Sequence, residues 1–118
     1  GLTSDQLVKF EPGSIVAPGI QSVAAFGHTP GHTLFTVRSE GQSFAYVADI
    51  TNVPSLFARN PDWAVLFDMN PEMARQSRRR IFDMLVKEKM MAGGFHFPFP
   101  AFGSITPSGT GYQFVPVA

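Results

Sequence analysis

The 118-residue sequence contains no cysteine. Disulfide bonds and thiolate chemistry are therefore excluded, and any metal site in the chain has to use histidine and carboxylate side chains. Neither charge is in excess, since 9 basic and 9 acidic residues cancel, so nothing calls for a nucleic acid or an anionic membrane as partner. No apolar run approaches the roughly 20 residues that a membrane-spanning helix needs.

The first residues also lack the basic and apolar segments of a signal peptide, and they lack an initiator methionine. We therefore expect a processed chain, an engineered piece or a fragment. The absence of cysteine suits either cytoplasm or periplasm, which leaves the compartment open. With 44% hydrophobic and 15% charged residues, the composition indicates a globular protein, and we predict one domain over residues 1–118.

Short apolar segments separated by turn residues predict a sheet. We expect residues 1–13 to be irregular and the loop between Pro54 and Asn60 to hold one helical turn. The predicted strands lie near residues 14–16, 20–27, 34–38, 43–48, 90–95, 104–106 and 112–117.

The clearest helix signal starts at Asn70, a good N-cap, and Pro71 suits the first helical position. Apolar residues then recur at helical spacing, at Ala74, Ile81, Phe82 and Leu85. The three arginines at 78–80 are interpreted as a solvated helix face, and Asp68 as a possible cap. The predicted fold class is α/β (α+β), a mixed sheet with one long helix on its outer face.

Two of the three histidines lie in one short turn, Gly27-His28-Thr29-Pro30-Gly31-His32-Thr33. Its glycines and proline allow close backbone approach, so that the ring of His28 can point into a cleft. We interpret His28 as a metal ligand. His32 is given a supporting role, hydrogen-bonding backbone and holding the turn, and Thr29 is expected to support the same turn.

Asp49 and the third histidine, His96, each follow an apolar run. A carboxylate at the end of a strand is either a cap or a metal ligand, because burying it unpaired is costly. Next to histidines we favour the ligand, and we give Asp49 the catalytic role as well. For His96 we favour a ligand over a packed core histidine. Such a set suits a zinc-type hydrolytic site. An apolar substrate pocket is a further possibility, though core packing explains the same residues equally well: Phe97, Phe99 and Phe102.

These residues resemble the metallo-β-lactamase fold hydrolases, and most closely the methyl parathion hydrolase-like branch. The resemblance is carried by the turn at 27–32, by Ala48-Asp49 at a strand end and by His96 after a strand that ends in glycine. It spans nearly all of residues 14–117, but only the C-terminal half of the family's four-layer αββα sandwich. The family's His-x-His-x-Asp-His signature is absent from this sequence.

The resemblance implies that His28 binds one metal ion, that Asp49 bridges two, and that His96 binds the second. It also implies two zinc ions per complete site, with manganese, iron or cobalt as alternatives. The reaction would be attack by a metal-activated hydroxide on an ester, a lactone or a phosphotriester. Two residues depart from the family pattern. Ala48 replaces the usual glycine, and Ser104 replaces a histidine found in a close relative.

Two interpretations of function remain open. In the first, the chain is part of a metallohydrolase and pairs with the missing N-terminal half of the same protein. In the second, it is a non-catalytic half-domain that holds at most three ligands and associates with itself, for example as a dimer. Half of a sandwich exposes an apolar sheet face, which favours association in both cases.

Overall fold

The computed structural model describes residues 1–117 and contains one mixed seven-stranded sheet whose strands follow chain order. Ala118, the last residue of the predicted domain, lies outside the described part. A single 3-10 turn at Ser4–Gln6 precedes the sheet. The strands are β1 (Ile15–Ala17), β2 (Ile20–Ala24), β3 (Thr33–Ser39), β4 (Gln42–Tyr46), β5 (Met91–Gly93), β6 (Phe102–Ser108) and β7 (Gly111–Pro116). The helices are α1 (Pro54–Phe57) and α2 (Pro71–Lys87).

All three loops that carry the predicted ligands leave the sheet at the same end. Because β3 is antiparallel to both β2 and β4, the chain leaves β2, enters β3 and leaves β4 at that end. β4 and β5 are parallel, so β5 also ends there, and the antiparallel β6 begins there. A parallel pair needs a crossover connection. Residues 47–90, which include both helices, supply it.

The helix α2 begins where its sequence predicts. The side chain of Asn70 accepts a hydrogen bond from the backbone N–H of Met73, and Pro71 occupies the first helical position. One face of the helix is buried, and it consists of Ala74, Ser77, Arg78, Ile81, Phe82 and Leu85. Burial of each large apolar side chain stabilises the fold by about 1.5–3 kcal/mol. At 17 residues with a charged outer face, α2 is the longest helix of residues 1–117, and no helix there could span a membrane.

The two faces of the sheet differ because α2 covers only one of them. Side chains alternate between the faces along each strand, and the covered face includes Leu34 and Ala45, which are fully buried. On the other face Tyr46, Phe102 and Val115 are 37%, 39% and 42% exposed. We call this second surface the open face. It is formed by Ile20, Phe35, Val37, Phe44, Tyr46, Met91, Phe102 and Val115.

The mixed sheet and the single long helix confirm the predicted fold class. Three strands nevertheless end earlier than predicted by two residues or more, β2 at residue 24 rather than 27, β4 at residue 46 rather than 48 and β5 at residue 93 rather than 95. For β2 and β4 the physical reason lies in the backbone. Gly27 has φ +129° and Ala48 has φ +47°, and neither conformation continues an extended strand. Strand β6 is longer than predicted, covering residues 102–108.

Tyr112 ties β7 to α2 and makes the stability of the fold depend on pH. Its hydroxyl donates to the carboxylate of Asp83, and its ring packs 5.1 Å from that of Phe82. Burial, assisted by the bond to Asp83, raises the pKa of Tyr112 to about 12. Because the folded-state pKa lies above the unfolded value of about 10, this contribution is complete below pH 10 and disappears as the pH rises through 12.

We expect the Tyr112→Phe variant to lose about 1 kcal/mol of unfolding free energy at pH 7, the typical net value of one hydrogen bond. The loss relative to the parent should vanish between pH 10 and 12. Urea unfolding at a series of pH values measures the first effect, and tyrosinate absorbance measures the titration. Tyr46→Phe, on the open face, is the control and should leave the absorbance step near pH 12 in place. A Tyr112 that titrates near pH 10 contradicts the prediction.

Candidate metal centre

The three predicted ligands line one cleft at the end of the sheet. His28 comes from the loop between β2 and β3, Asp49 from the start of the crossover after β4, and His96 from the loop between β5 and β6. The complete lining is His28, Asp49, Thr51, Asn52, Val65, Asp68 and His96. Loops that are distant in sequence meet here because the strand order brings their ends together.

The histidine turn is fastened to the start of α2 by backbone groups. The carbonyl of Gly27 accepts from the N–H of Asn70 at 2.9 Å, and the carbonyl of His28 accepts from the N–H of Met69 at 3.1 Å. The hydroxyl of Ser77 in α2 donates to the carbonyl of Phe26 at 2.7 Å. These bonds hold the backbone around His28 against the helix, so the position of its ring depends on α2.

His32 links the turn to the segment that carries Asp49. Its Nδ1 lies 2.8 Å from the carbonyl oxygen of Ala25, and a carbonyl can only accept, so this nitrogen carries the proton. Its Nε2 then accepts from the backbone N–H of Asp49 at 3.1 Å. Both nitrogens of the buried ring are therefore used in backbone bonds, and neither is free for a metal ion. Thr29 contributes through its backbone, since its carbonyl accepts from the N–H groups of Gly27 and His32.

His28 differs from His32 because its Nε2 has no hydrogen-bond partner among residues 1–117. Its Nδ1 lies 3.1 Å from Oδ1 of Asp68, whose side chain is only 3% exposed. A carboxylate that holds one nitrogen of a histidine fixes the ring and leaves the other nitrogen for a metal ion, as is common around protein metal sites. The side chain of His28 itself is 27% exposed. Its Nε2 can therefore be reached from the cleft.

Asp49 and His96 meet across the cleft. Nε2 of His96 lies 3.2 Å from Oδ1 of Asp49, with side-chain exposures of 49% and 28%. The backbone makes this approach possible. Ala48, the residue before Asp49, has φ +47°, and His96 has φ +64°. The two donor atoms thus converge while both remain open to solvent.

The spacing of these donors fits a divalent metal ion. Metal bonds of about 2.1 Å at a tetrahedral angle place two donor atoms about 3.4 Å apart, close to the separation of Asp49 and His96. The donor set, imidazole and carboxylate, suits zinc and similar ions. It is incomplete, however. Within residues 1–117 no three His, Asp or Glu side chains lie close enough together to hold an ion by themselves. The cleft also contains the buried hydroxyl of Thr51, for which residues 1–117 offer no hydrogen-bond partner.

The three phenylalanines predicted as a substrate pocket lie in different surroundings. Phe97 is buried, and its ring centroid lies 4.7 Å from that of Phe114. Phe99 is 95% exposed, and Phe102 belongs to the open face. None of the three lines the cleft that contains His28, Asp49 and His96. Only Phe97 borders a neighbouring groove that includes His96.

Two residues of this region were not recognised in the sequence. The interpretation of residues 78–80 as a solvated face is wrong for Arg78, which is 1% exposed, while Arg79 and Arg80 are at the surface. Asp68 does not cap α2, since Asn70 does so, and it bonds His28 and Arg78 instead. A weak signal existed for Arg78. It lies within the apolar stripe at helical spacing, four residues after Ala74 and four before Phe82.

No protein-family model matches the chain, and no curated protein matches it significantly. Solved structures do match. AidC, described as a dizinc quorum-quenching lactonase in complex with a product, shows 26% identity and a TM-score of 0.89 over 97% of this chain and 39% of its own. AbOPH, described as a hydrolase in the beta lactamase superfamily, shows 27% identity and a TM-score of 0.81 over 86% and 35%. AiiA of B. thuringiensis, with N-decanoyl-L-homoserine bound at its active site, shows 25% identity and a TM-score of 0.62 over 79% and 40%.

These similarities confirm the resemblance to metallo-β-lactamase superfamily hydrolases. The mixed sheet with one long helix is part of that fold. The chain spans about 40% of the length of AidC and AiiA and 35% of AbOPH, which is consistent with the C-terminal half. The neighbours are metal-dependent hydrolases, and lactonases are among them.

Replacing Gly27 by alanine should strongly destabilise the chain. A Cβ at this position would lie 2.1 Å from the backbone nitrogen of Ala74, and φ is +129°. We expect Gly27→Ala to cost at least about 3 kcal/mol of unfolding free energy. Gly31→Ala in the same turn is the matched control, because a Cβ there meets nothing within 4 Å, and its effect should stay within about 0.5 kcal/mol. Urea unfolding followed by circular dichroism measures both, and equal effects would argue against this packing.

Proposed function

We propose that this chain is part of a metal-dependent hydrolase in which His28, Asp49 and His96 supply part of a dinuclear metal centre. One observation carries the proposal. Side chains from three separate loops converge on one cleft, two of them with donor atoms 3.2 Å apart and the third held by a buried carboxylate. Nε2 of His28 has no hydrogen-bond partner among residues 1–117, and the Asp49–His96 pair is open to solvent, as metal ligands would have to be.

The residues would divide the work as follows. His28 would bind one metal ion through Nε2, His96 would bind the second, and Asp49 would bridge the two with one carboxylate oxygen for each. Bound divalent ions, zinc above all with manganese, iron and cobalt as alternatives, supply Lewis-acid polarisation and activate water near neutral pH. His32 would hold the backbone of Asp49 in place through the N–H···Nε2 bond.

The proposed substrates are esters, lactones and phosphotriesters. An ester, a lactone or a phosphotriester presents an uncharged electrophilic centre whose oxygen takes up charge during the attack by water. Two similar structures contain an N-acyl-L-homoserine, AidC as a product and AiiA at its active site. Lactones therefore come first in any assay, followed by aryl esters and phosphotriesters.

The remaining ligands have to come from outside residues 1–117. We infer that the partner is a segment with the His-x-His-x-Asp-His pattern, in an N-terminal half that packs on the open face. Two features of the chain support this inference. Its set of metal-donor side chains is incomplete, and one apolar face of its sheet is uncovered. The alternative remains a non-catalytic half-domain whose copies cover the open face of one another.

The metal centre is tested with two isosteric variants, Asp49→Asn and Asp62→Asn. Both are made in the full protein that the gene encodes. Asp62 is a fit control because it pairs with Arg79 at the surface and lies outside the cleft. Intact mass, metal per mole and hydrolysis of lactone, aryl ester and phosphotriester substrates are measured. We expect Asp49→Asn to lose metal and to lose more activity than the roughly 10–100-fold typical of residues that only orient a ligand. Asp62→Asn should match the parent. Full metal content in Asp49→Asn would contradict the proposal.

Self-association is tested on the 118-residue chain alone. At micromolar concentration we expect light scattering to give a mass above the 12.9 kDa of one chain, because the open face exposes contiguous apolar surface. Phe102→Ser should lower the apparent mass. Leu66→Ser is the control, since Leu66 is 93% exposed but lies outside the sheet, and it should change nothing. A monodisperse monomer in the parent chain would rule out association through the open face.

A further inference from the structure

Asp68 lies between a candidate ligand and a buried cation. Its Oδ1 is 3.1 Å from Nδ1 of His28, and its Oδ2 is 3.5 Å from Nη2 of Arg78. The side chains of Asp68 and Arg78 are 3% and 1% exposed. The shorter contact goes to the histidine, and the guanidinium is contacted by one oxygen rather than by the two of a bidentate pair.

Arg78 connects the same carboxylate to the segment that follows Asp49. Its Nε donates to the carbonyl of Ile50 at 3.0 Å. Its Nη1 donates to the carbonyls of Pro61 and Trp63 at 2.7 and 2.9 Å. Burial lowers the pKa of Arg78 from its ordinary value, and the nearby Asp68 opposes that change. One guanidinium therefore joins α2, the backbone next to Asp49 and the carboxylate that contacts His28.

We propose that Asp68 and Arg78 are positioning residues that keep Nε2 of His28 free for a metal ion and fix His28 relative to Asp49. The inference rests on the proposed function, in that His28 has to be a ligand for this positioning to matter. A carboxylate can only accept from a ring nitrogen, so Asp68 holds the proton of neutral His28 on Nδ1 and leaves the lone pair on Nε2. Arg78 holds Asp68 at one end and the carbonyl beside Asp49 at the other.

The proton position can be read directly, because the chain has only three histidines. Nitrogen-15 NMR of the imidazoles in the metal-free 118-residue chain at pH 8.5 distinguishes protonated from unprotonated ring nitrogens. In the parent chain we expect His28 to be protonated on Nδ1. His32 is an internal reference, since its bond to the carbonyl of Ala25 keeps its proton on Nδ1 in every variant.

The variant that tests the idea is Asp68→Asn. Its amide can donate to Nδ1, so a large share of His28 should move its proton to Nε2, the nitrogen that a metal ion needs. In the protein that carries its remaining metal ligands, the zinc dissociation constant should rise about 10–100-fold in the variant. Asp62→Asn, which alters a surface pair with Arg79, is the matched control and should leave both measurements unchanged.

A purely structural role would lower stability and leave the proton of His28 on Nδ1, and that result in Asp68→Asn would overturn the inference. If Asp68→Asn does not fold, the double variant Asp68→Asn/Arg78→Met removes the buried cation together with its partner and should show the same proton shift. A parent chain with His28 protonated on Nε2 would also overturn it. If the proton shift occurs but the protein that carries its remaining metal ligands binds no metal in the cleft, the proposed function fails while the positioning of His28 stands.

Discussion

The parallel pairing of β4 with β5 is the constraint on which the rest of the structure depends. If β5 ran antiparallel to β4, the loop with His96 would leave the opposite end of the sheet from the loop with His28. The parallel pair requires a long crossover, and this crossover lays α2 on one face of the sheet. It also carries Asp49, Asp68 and Arg78. One feature of topology thus forms the cleft, covers one face and brings in the side chains that contact the predicted ligands.

Backbone strain is concentrated where Asp49 and His96 meet. Ala48 and His96 have φ of +47° and +64°, a region that costs about 1–2 kcal/mol for a residue with a side chain. In the metallo-β-lactamase fold hydrolases that the sequence resembles, glycine is the usual residue at position 48. The structure explains that preference, because glycine adopts this conformation without the cost. The bond from the N–H of Asp49 to Nε2 of His32 helps to hold the strained segment.

Features with local signals could be predicted from the sequence. The N-cap at Asn70, the helical spacing of α2 and the turn around His28 depend on neighbouring residues, and all are present. Arg78 and Asp68 could not be predicted in this way. Arg78 is buried because carbonyls of residues 50, 61 and 63 surround it, and Asp68 acts on a histidine 40 residues earlier. Three consecutive arginines suggest a polar surface when only neighbours in sequence are considered. The early end of β4 was missed for a related reason, since alanine gives no sign of a left-handed conformation.

The uncovered apolar surface needs a partner that covers it, whereas the incomplete metal centre needs a partner that supplies further donor atoms. These two needs distinguish the two candidate partners. A second copy of the chain could cover the open face, and so remove Tyr46, Phe102 and Val115 from water. It would bring only a second set of the same three metal-donor side chains. Symmetry would place that set in the cleft of the second copy, unless the two clefts adjoin. A second half of a sandwich, packed sheet on sheet, would cover the open face and would bring its own strand ends to the rim of the same cleft. Of the two proposed partners, this one would complete the surroundings of Nε2 of His28 and of the Asp49–His96 pair in one step. The chemistry of the cleft therefore supports our proposal of pairing with an N-terminal half, and we expect self-association through the same surface when that half is absent.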